Sequence, residues 1–157
     1  MADITLRLAA SRDERLLWEW VNEAAVRESA FDQEHIIQEV HHRWFQGQLC
    51  NSAEHVQLIG EMDGVPFGQI RFDIEGACAT ADVSVSVSNR GRGRGTGLIK
   101  MGIGWLQRNC PNVTQVTADV RLTNLGSIRA FQKAGFCQIH EFTNDPPCVR
   151  LQWEATS

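Results

Sequence analysis

A glycine- and arginine-rich turn between a strand pattern and a helix pattern is the feature that most constrains this chain. Residues 81–87 alternate apolar and polar side chains, which predicts a strand. The turn Arg92-Gly93-Arg94-Gly95-Thr96-Gly97 follows, and Leu98, Met101 and Trp105 then recur at helical spacing. The free N–H groups of a helix start attract anions, and glycine lets a ligand approach the backbone. This order of elements predicts a phosphate or pyrophosphate site.

The spacing of the glycines excludes two common phosphate-binding patterns. The dinucleotide pattern G-x-G-x-x-G fails because its third glycine would fall on Thr96 or Leu98, depending on the start. The P-loop pattern fails because Ile103 stands where a lysine is required. What remains is R-x-x-G-x-G, at Arg92, Gly95 and Gly97. A glycine-rich helix entry without a ligand is the alternative interpretation.

A second block, residues 124–136, has the pattern of another strand-to-helix unit. Residues 113–120 predict the strand, and Asn124 is a favourable residue for capping the helix that follows. Ile128 and Phe131 lie at helical spacing, and a glycine suited to a C-cap ends the block.

Together the two blocks resemble the acetyl-CoA-dependent N-acetyltransferase superfamily, often abbreviated GNAT. The matching features are the strand ending at Val87, the R-x-x-G-x-G turn, and N-x-x-S-I-x-x-F-x-x-x-G-F in the next unit. The resemblance covers essentially the whole chain and is strongest from Gly68 to Phe136. It implies one domain over residues 1–157 of the α/β (α+β) class, with a mixed, mostly antiparallel sheet of about six to seven strands and about four helices. It also implies an acyltransferase that moves an acetyl group from acetyl-CoA to a primary amine, without a metal.

Composition and charge limit the kinds of partner that we expect for this chain and the cellular compartment in which we expect it. The net charge of −4 and pI of about 5.7 argue against a nucleic-acid binder, although an RGG-type RNA segment is the alternative for residues 90–94. The five cysteines are widely spaced without C-x-x-C, which predicts reduced thiols. The first seven residues carry no signal-sequence pattern, and no apolar run approaches the ~20 residues of a membrane span. We therefore expect a cytoplasmic protein with no membrane partner; the oligomeric state stays open, a homodimer included.

Periodicity and turn residues predict the remaining elements. A capping box at residues 11–14 begins a first helix with Leu17, Trp20, Val21 and Ala24 buried, and Asp32 caps a second helix. The other predicted strands are residues 4–8, 55–62, 66–73, 136–142 and 148–153, with Asp63-Gly64 as a hairpin turn and residues 144–147 as another.

The resemblance implies how acetyl-CoA would be held. The backbone at the end of the strand would pair with the pantetheine arm, and the turn would wrap the pyrophosphate. Asn124 would touch the cofactor arm or a bridging water while also capping its helix. The implied cofactor-binding residues are Val85, Ser86, Val87, Arg92, Gly93, Arg94, Gly95, Thr96, Gly97, Asn124 and Phe131.

Asp119 is the favoured general base by resemblance, because it lies five residues before Asn124, where many relatives carry glutamate. The shorter side chain favours relay through water, and a structural strand-end aspartate is the alternative interpretation. Asp82 and Asp73 are rival carboxylates.

Phe131 departs from the family, since most relatives carry tyrosine there as the acid that protonates the thiolate. The chain contains no tyrosine. Ser127 or a water is a substitute donor, and two other interpretations are that no acid is needed or that acetyl-CoA is bound without turnover.

The acceptor is expected to contact the first two helices and the strand at 66–73. This part resembles the subgroup that acetylates nucleotide-linked amino sugars, as in pseudaminic acid biosynthesis, with a protein N-terminus as the alternative acceptor. Arginines would pair with the diphosphate and an indole would stack on a base or sugar. The candidate residues are Arg27, His41, Trp44, Arg71 and Asp73. Core packing is the alternative role for His41 and Trp44, and an ordinary surface strand position is the alternative for Arg71.

Overall fold

Within residues 4–31, 34–91, 93–143 and 145–156, which the computed structural model describes, seven strands and five α-helices form one mixed α/β architecture. The strands are β1 (Ile4–Leu8), β2 (His55–Met62), β3 (Val65–Glu75), β4 (Cys78–Val85), β5 (Gln115–Arg121), β6 (Cys137–Phe142) and β7 (Cys148–Glu154). The helices are α1 (Glu14–Val21), α2 (Ala24–Ser29), α3 (Gln38–Cys50), α4 (Arg94–Asn109) and α5 (Leu125–Lys133). None of these helices is long and apolar enough to cross a membrane.

One parallel contact interrupts an otherwise antiparallel sheet. The strand order is β1-β2-β3-β4-β5-β7-β6, and β4 and β5 are the parallel pair. Their pairing covers residues 78–80 of β4 and residues 115–117 of β5, after which the described parts of the two strands are no longer paired. This confirms the predicted GNAT fold, and it opens a gap in the middle of the sheet.

Two hydrophobic layers cover the two faces of the sheet. Leu58 belongs to the layer formed with α4 and α5, whereas the next residue, Ile59, packs with Leu17, Trp20 and Phe45 of α1 and α3. Because successive residues of a strand point to opposite faces, the two helix groups lie on opposite sides of the sheet. The positions of the helices are set by this alternation.

The predicted turns and strand ends are mostly confirmed. Asp63 and Gly64 both have positive φ, 52° and 82°, as a tight β-hairpin turn requires. β6 and β7 pair antiparallel as expected, although Asn144 at the predicted turn lies outside the described residues. β4 ends at Val85 rather than Val87, because residues 87–89 form a short 3-10 helix.

The first two predicted helices need correction. The predicted stripe from Leu17 to Ala24 is interrupted, because α1 ends at Val21 and α2 begins at Ala24. The Asn22 side chain stabilises this break by donating to Trp18 O and Ile36 O and accepting from the Ile36 N–H. The next helix, α3, begins at Gln38, and Asp32 lies outside the described residues.

The predicted capping box at residues 11–14 was also wrong in its detail. The arrangement is shifted by one residue: Asp13, rather than Glu14, accepts a hydrogen bond from the N–H three residues earlier, that of Ala10, at 2.8 Å. Asp13 is buried, and both of its oxygens accept from the Arg7 guanidinium at 2.8 Å. These bonds hold the pKa of the Asp13 carboxyl below its usual value, with Arg7 as the largest cause. The pair fastens the start of α1 to β1.

Candidate active site

A cavity of about 1000 Å³ fills the gap between β4 and β5 and extends beneath α1, α2 and α3. We call the part bounded by the end of β4, the start of α4 and α5 the cofactor half. We call the part bounded by β3 and the helices α1 to α3 the acceptor half. The cavity brings together candidates separated by more than a hundred positions in the sequence, from Arg27 to Phe131.

The end of β4 presents its backbone to the gap. The Ser86 N–H donates to Phe67 O of β3 at 2.8 Å, so Ser86 faces the neighbouring strand. Because adjacent residues of a strand turn their N–H and C=O groups to opposite sides, Val85 and Val83 face the gap. The Val85 carbonyl already accepts from Arg90 Nε at 2.9 Å. The gap-facing groups available for pairing with a ligand are therefore those of Val83 and the N–H of Val85.

The start of α4 is arranged as an anion site. Gly93 caps the helix with a left-handed φ of 74°, a conformation that favours glycine, and provides no side-chain cap. The first helical hydrogen bond is that of the Gly97 N–H to Gly93 O, at 3.2 Å. The N–H groups of Arg94, Gly95 and Thr96 precede this bond and lack helical partners. These groups and the helix dipole fit a pyrophosphate.

Neighbouring side chains hold this turn in place. Arg94 donates to the Asn89 side chain, and Arg90 pairs with Glu23 at 3.0 Å. Arg92, the first residue of the predicted motif, lies outside the described residues, as does the side chain of Val87. Gly97 does not line the cavity, whereas Gly93 to Thr96 do.

The start of α5 forms the opposite wall of the cofactor half. Asn124 caps the helix by accepting from the Ser127 N–H at 3.3 Å, which confirms its predicted capping role. Ser127 and Phe131 both line the cavity. The Phe131 ring is 2% exposed and meets Phe136 edge-on with ring centres 4.9 Å apart.

Asp119 lines the cavity but is engaged by an arginine. Its two oxygens accept from Arg150 Nε and Nη2 at 2.7 and 2.9 Å, and this bond raises the pKa of the Arg150 guanidinium. Asp119 cannot accept a proton from an amine without weakening this pair. Asp82 also lines the cavity, is exposed, and has no hydrogen-bond or ion-pair partner among the described residues.

The acceptor half gathers most of the predicted substrate residues. The Arg71 guanidinium lies over the Trp44 ring, 5.0 Å from its centre, and the His41 ring lies 5.5 Å from that of Trp44. Arg27 lines the same space and donates to Val21 O at 2.7 Å and Glu34 O at 3.2 Å.

Core packing, the alternative role for His41 and Trp44, describes His41 better than Trp44. His41 is 4% exposed and Trp44 is 37% exposed, yet both line the cavity. Burial is the main cause that lowers the pKa of His41, so its imidazole is neutral at neutral pH.

Asp73 lies elsewhere. Its carboxylate meets His55 Nδ1 at 2.8 Å and lines a separate surface depression at the other end of β3. Its contact with Arg71 is 3.7 Å.

A row of hydrogen-bonded polar side chains beneath the acceptor half was not predicted from the sequence. Gln57 donates to Gln69 at 3.1 Å, and Gln69 donates to Ser84 Oγ at 3.1 Å, which links β2, β3 and β4. Arg121 of β5 was also missed, and it donates to the Glu28 and Ala30 carbonyls near the end of α2. The sequence contained one signal for these residues: they occupy the strand face opposite the one that packs against α4. Among the described residues, no cluster of three or more histidine, cysteine or acidic side chains has the arrangement of a metal site.

A strand pair that separates beside a helix start free to bind anions is the arrangement that the resemblance to the GNAT superfamily implies for a coenzyme A site. Comparison with known protein families agrees: the model of the Acetyltransferase (GNAT) family matches residues 15–136. This match spans most of the chain, and the chain belongs to that family. No curated protein matches it.

Solved structures of this family share the fold. An aminoglycoside acetyltransferase AAC(6')-Ib, in complex with ribostamycin and coenzyme A, has a TM-score of 0.83 and 24% identity over 97% of this chain and 93% of that chain. A spermidine N-acetyltransferase from Vibrio cholerae, in complex with CoA and spermine, has a TM-score of 0.84 and 14% identity over 96% and 95%. A ribosomal L7/L12 alpha-N-protein acetyltransferase with coenzyme A has a TM-score of 0.83 and 16% identity over 97% and 94%.

The class of activity follows from family membership. The chain is an acetyl-CoA-dependent N-acetyltransferase of the GNAT kind, with acetyl-CoA as co-substrate. Two of the similar structures hold ribostamycin or spermine, and the third enzyme is named for a ribosomal protein, so the resemblance to the amino-sugar subgroup stays a prediction.

Proposed function

We propose that this enzyme acetylates the primary amine of a nucleotide-linked amino sugar. The observation that supports this acceptor is the Arg71 guanidinium over the Trp44 ring, inside the acceptor half of the cavity. A cation beside a flat apolar face suits a ligand that joins a phosphate to a base or sugar. We also propose that the chain acts as one domain in the cytoplasm; its oligomeric state stays open.

The charge of the acceptor half favours an anionic acceptor over a polycation. Among the described residues, the arginines Arg27, Arg71 and Arg121 line this part or its border, whereas the carboxylates there are Asp82 and the Arg150-paired Asp119. Polycations such as spermine or an aminoglycoside bind best among several unpaired carboxylates. A diphosphate gains from the arginines instead.

Arg71 retains hydrogen-bonding capacity for such a ligand. Its Nε lies 3.7 Å from a carboxylate oxygen of Asp73, which is beyond a good hydrogen bond. A guanidinium can bind phosphate oxygens through two parallel N–H groups. Arg27, by contrast, already donates to two carbonyls and better suits a role in shaping the wall.

The cofactor half fits the acetyl donor. Acetyl-CoA supplies an acetyl group activated as a thioester. The N–H groups of Arg94, Gly95 and Thr96 would hold the pyrophosphate, and the gap-facing backbone of Val83 and Val85 would pair with the pantetheine arm. Ser127 would lie near the thiol as a hydroxyl donor.

Proton removal from the amine is assigned to the carboxylates of this cavity. Asp119 remains the proposed base and acts through a water, because both of its oxygens are held by Arg150. Asp82 is the unpaired carboxylate that would take over this role if Asp119 were structural.

The acceptor assignment is tested by coenzyme A release with matched amines. UDP-glucosamine, glucosamine, spermidine, kanamycin and an N-terminal peptide of ribosomal protein L7/L12 are compared at equal concentrations. We expect UDP-glucosamine to give the highest kcat/KM of this set. Arg71→Ala should raise KM for UDP-glucosamine by about tenfold, since it removes a charged hydrogen bond, and should leave KM for glucosamine within about twofold. A faster reaction with spermidine, kanamycin or the peptide would refute the acceptor assignment and leave the acetyltransferase activity unaffected.

A further inference from the structure

Three buried polar atoms in the wall of the acceptor half have no partner within the described part of the chain. One is Nε of Arg121, whose guanidinium already donates to two backbone carbonyls through Nη1. The other two are Nδ1 of His41 and Oε1 of Gln57. Both residues line the cavity, and His41 is 4% exposed. Buried polar groups in native proteins are almost always hydrogen-bonded to protein, water or ligand. Two such atoms in the wall of one ligand cavity therefore point to a polar group of the ligand.

The sheet register and the ring contacts place the two side chains in the same region. Gln57 on β2 lies directly opposite Arg71 on β3. The Arg71 guanidinium lies over Trp44, and the Trp44 ring lies 5.5 Å from that of His41. The two unpartnered atoms thus flank the Arg71–Trp44 pair that carries the proposed acceptor.

Both side chains are held in position by their neighbours. The His41 ring stacks on Phe45 with an interplanar angle of 11° and a centroid distance of 5.9 Å. The amide of Gln57 is the end of the hydrogen-bonded chain through Gln69 to Ser84. A ligand group that meets these atoms encounters a preformed site.

The chemistry of the two atoms suits a hydroxyl group. A neutral imidazole offers Nδ1 as donor or acceptor, depending on its tautomer. The direction of the hydrogen bonds from Gln57 to Ser84 can also be reversed: if Ser84 donates to Gln69 and Gln69 donates to Gln57, the free atom of Gln57 becomes an N–H donor. An ammonium requires two acceptors and a phosphate requires two donors, whereas a hydroxyl matches one donor beside one acceptor.

We propose that His41 Nδ1 and the Gln57 side-chain amide form a subsite that binds a hydroxyl group of the acceptor. This inference rests on the proposed function, which it deepens by specifying a hydroxylated ring, as in a sugar. Arg71 and Trp44 would bind the nucleotide part, and His41 and Gln57 would bind the sugar part. The two pairs are separable by mutation.

The direct test observes the two side chains by nuclear magnetic resonance. The imidazole ¹⁵N signals of His41 and the side-chain amide signals of Gln57 are recorded in the presence of coenzyme A and titrated with UDP-glucosamine, glucosamine and cyclohexylamine. Both sets of signals should shift with the two hydroxylated probes and stay unmoved with cyclohexylamine, a ring amine without hydroxyls. Unmoved signals with both sugars, or equal shifts with all three probes, would overturn the proposal.

Variants test the same subsite by affinity. His41→Phe keeps the ring stacking and Gln57→Leu keeps much of the volume, and each should weaken glucosamine binding by about tenfold. His41→Asn, whose amide can occupy the position of Nδ1, should bind glucosamine within about threefold of wild type. Failure of His41→Asn to exceed His41→Phe would refute the role of Nδ1. An effect of His41→Phe or Gln57→Leu confined to UDP-glucosamine, with glucosamine binding unchanged, would refute the hydroxyl subsite and leave the proposed function intact.

Discussion

The two halves of the cavity differ in the groups that they offer to a ligand: mainly backbone groups in one and mainly side chains in the other. The groups of the cofactor half proposed to hold the donor are mainly backbone: the gap-facing edge of β4, the N–H groups at the start of α4 and a glycine in a left-handed conformation. The acceptor half is lined mainly by side chains from α1 to α3, β2 and β3, including His41, Trp44 and Arg71. A site made of backbone accepts the donor common to the family, whereas a site made of side chains can differ from one member to the next. Variants that change one half can therefore use the other half as their control.

The largest expected effect lies at Asp119, on the boundary between the halves. Asp119→Asn should lower turnover by roughly 10²–10⁴-fold while coenzyme A affinity stays within about twofold, because the general base is lost and the cofactor contacts are kept. Steady-state kinetics and calorimetric binding measure the two quantities.

Two variants distinguish a base from a structural partner of Arg150. Arg150→Gln frees the carboxylate and should retain turnover within about tenfold, and Asp82→Asn should do the same. A loss under about threefold in Asp119→Asn, together with a larger loss in Asp82→Asn, would assign the base to Asp82.

The next prediction concerns whether the helices that cover the acceptor half can be destabilised without a change in α4. Asp13→Asn removes the buried charge that fastens α1 to β1 and should lower the free energy of unfolding by about 1–3 kcal/mol at pH 7. Hydrogen exchange should rise in α1 and α3 and stay unchanged in α4. The control, Glu19→Gln, breaks an exposed pair with Arg15 and should cost less than about 0.5 kcal/mol.

The same pair predicts a pH dependence with a defined sign. The pKa of Asp13 is lowered by folding, so its stabilisation is fully present above the ordinary aspartate pKa of about 3.9 and is lost as the pH falls through the lower folded value. The difference in stability between wild type and Asp13→Asn should shrink in acid. A difference that stays constant from pH 7 to pH 2 would contradict this origin.

Gly95 tests the backbone character of the cofactor half. A methyl group at Gly95 would meet Ala130 and Val85 at 3.8 Å, an ordinary contact, so the unliganded protein should accept alanine. Gly95→Ala should weaken coenzyme A binding at least tenfold, because the methyl group keeps the pyrophosphate from the N–H groups. The stabilisation of the protein by coenzyme A in thermal unfolding should fall accordingly.

Gly47→Ala is the matched control for Gly95→Ala. Gly47 is also helical, lies outside the cavity lining, and has no neighbouring atom within 4 Å of an added Cβ. Both alanines raise helix propensity, so both variants should be slightly more stable without ligand. Equal coenzyme A affinity in the two variants would show that the start of α4 is not part of the cofactor site.

The smallest effect is expected at Phe131. Phe131→Tyr should change the free energy of unfolding by less than about 1 kcal/mol, because the ring borders the cavity and the volume is nearly conserved. Turnover should rise by at most about tenfold. Phe136→Tyr, whose ring is equally buried but does not line the cavity, should destabilise by about 1–3 kcal/mol. If Phe131→Tyr were as destabilising as Phe136→Tyr, Phe131 would be a core residue and not part of the site.

The contrast between the halves also explains what the sequence could predict. The glycine turn, the strand before it and the Asn124 cap are local patterns, and the structure confirms their placement around one gap. The break at Asn22, the Asp13 cap and the Arg150–Asp119 pair depend on residues distant in sequence or on competing caps, which periodicity does not encode. For the same reason the Gln57–Gln69–Ser84 ladder became visible only with the register of three strands.

We expect the gap between β4 and β5 to hold the cofactor through backbone groups. A crystal structure of the complex with coenzyme A is the measurement that decides this. Pyrophosphate oxygens should lie within about 3.2 Å of the Gly95 and Thr96 nitrogens, and the pantetheine arm should pair with the gap-facing backbone of Val83 and Val85. Coenzyme A bound outside this gap, or in the gap without contact to the start of α4, would contradict a backbone-built cofactor site.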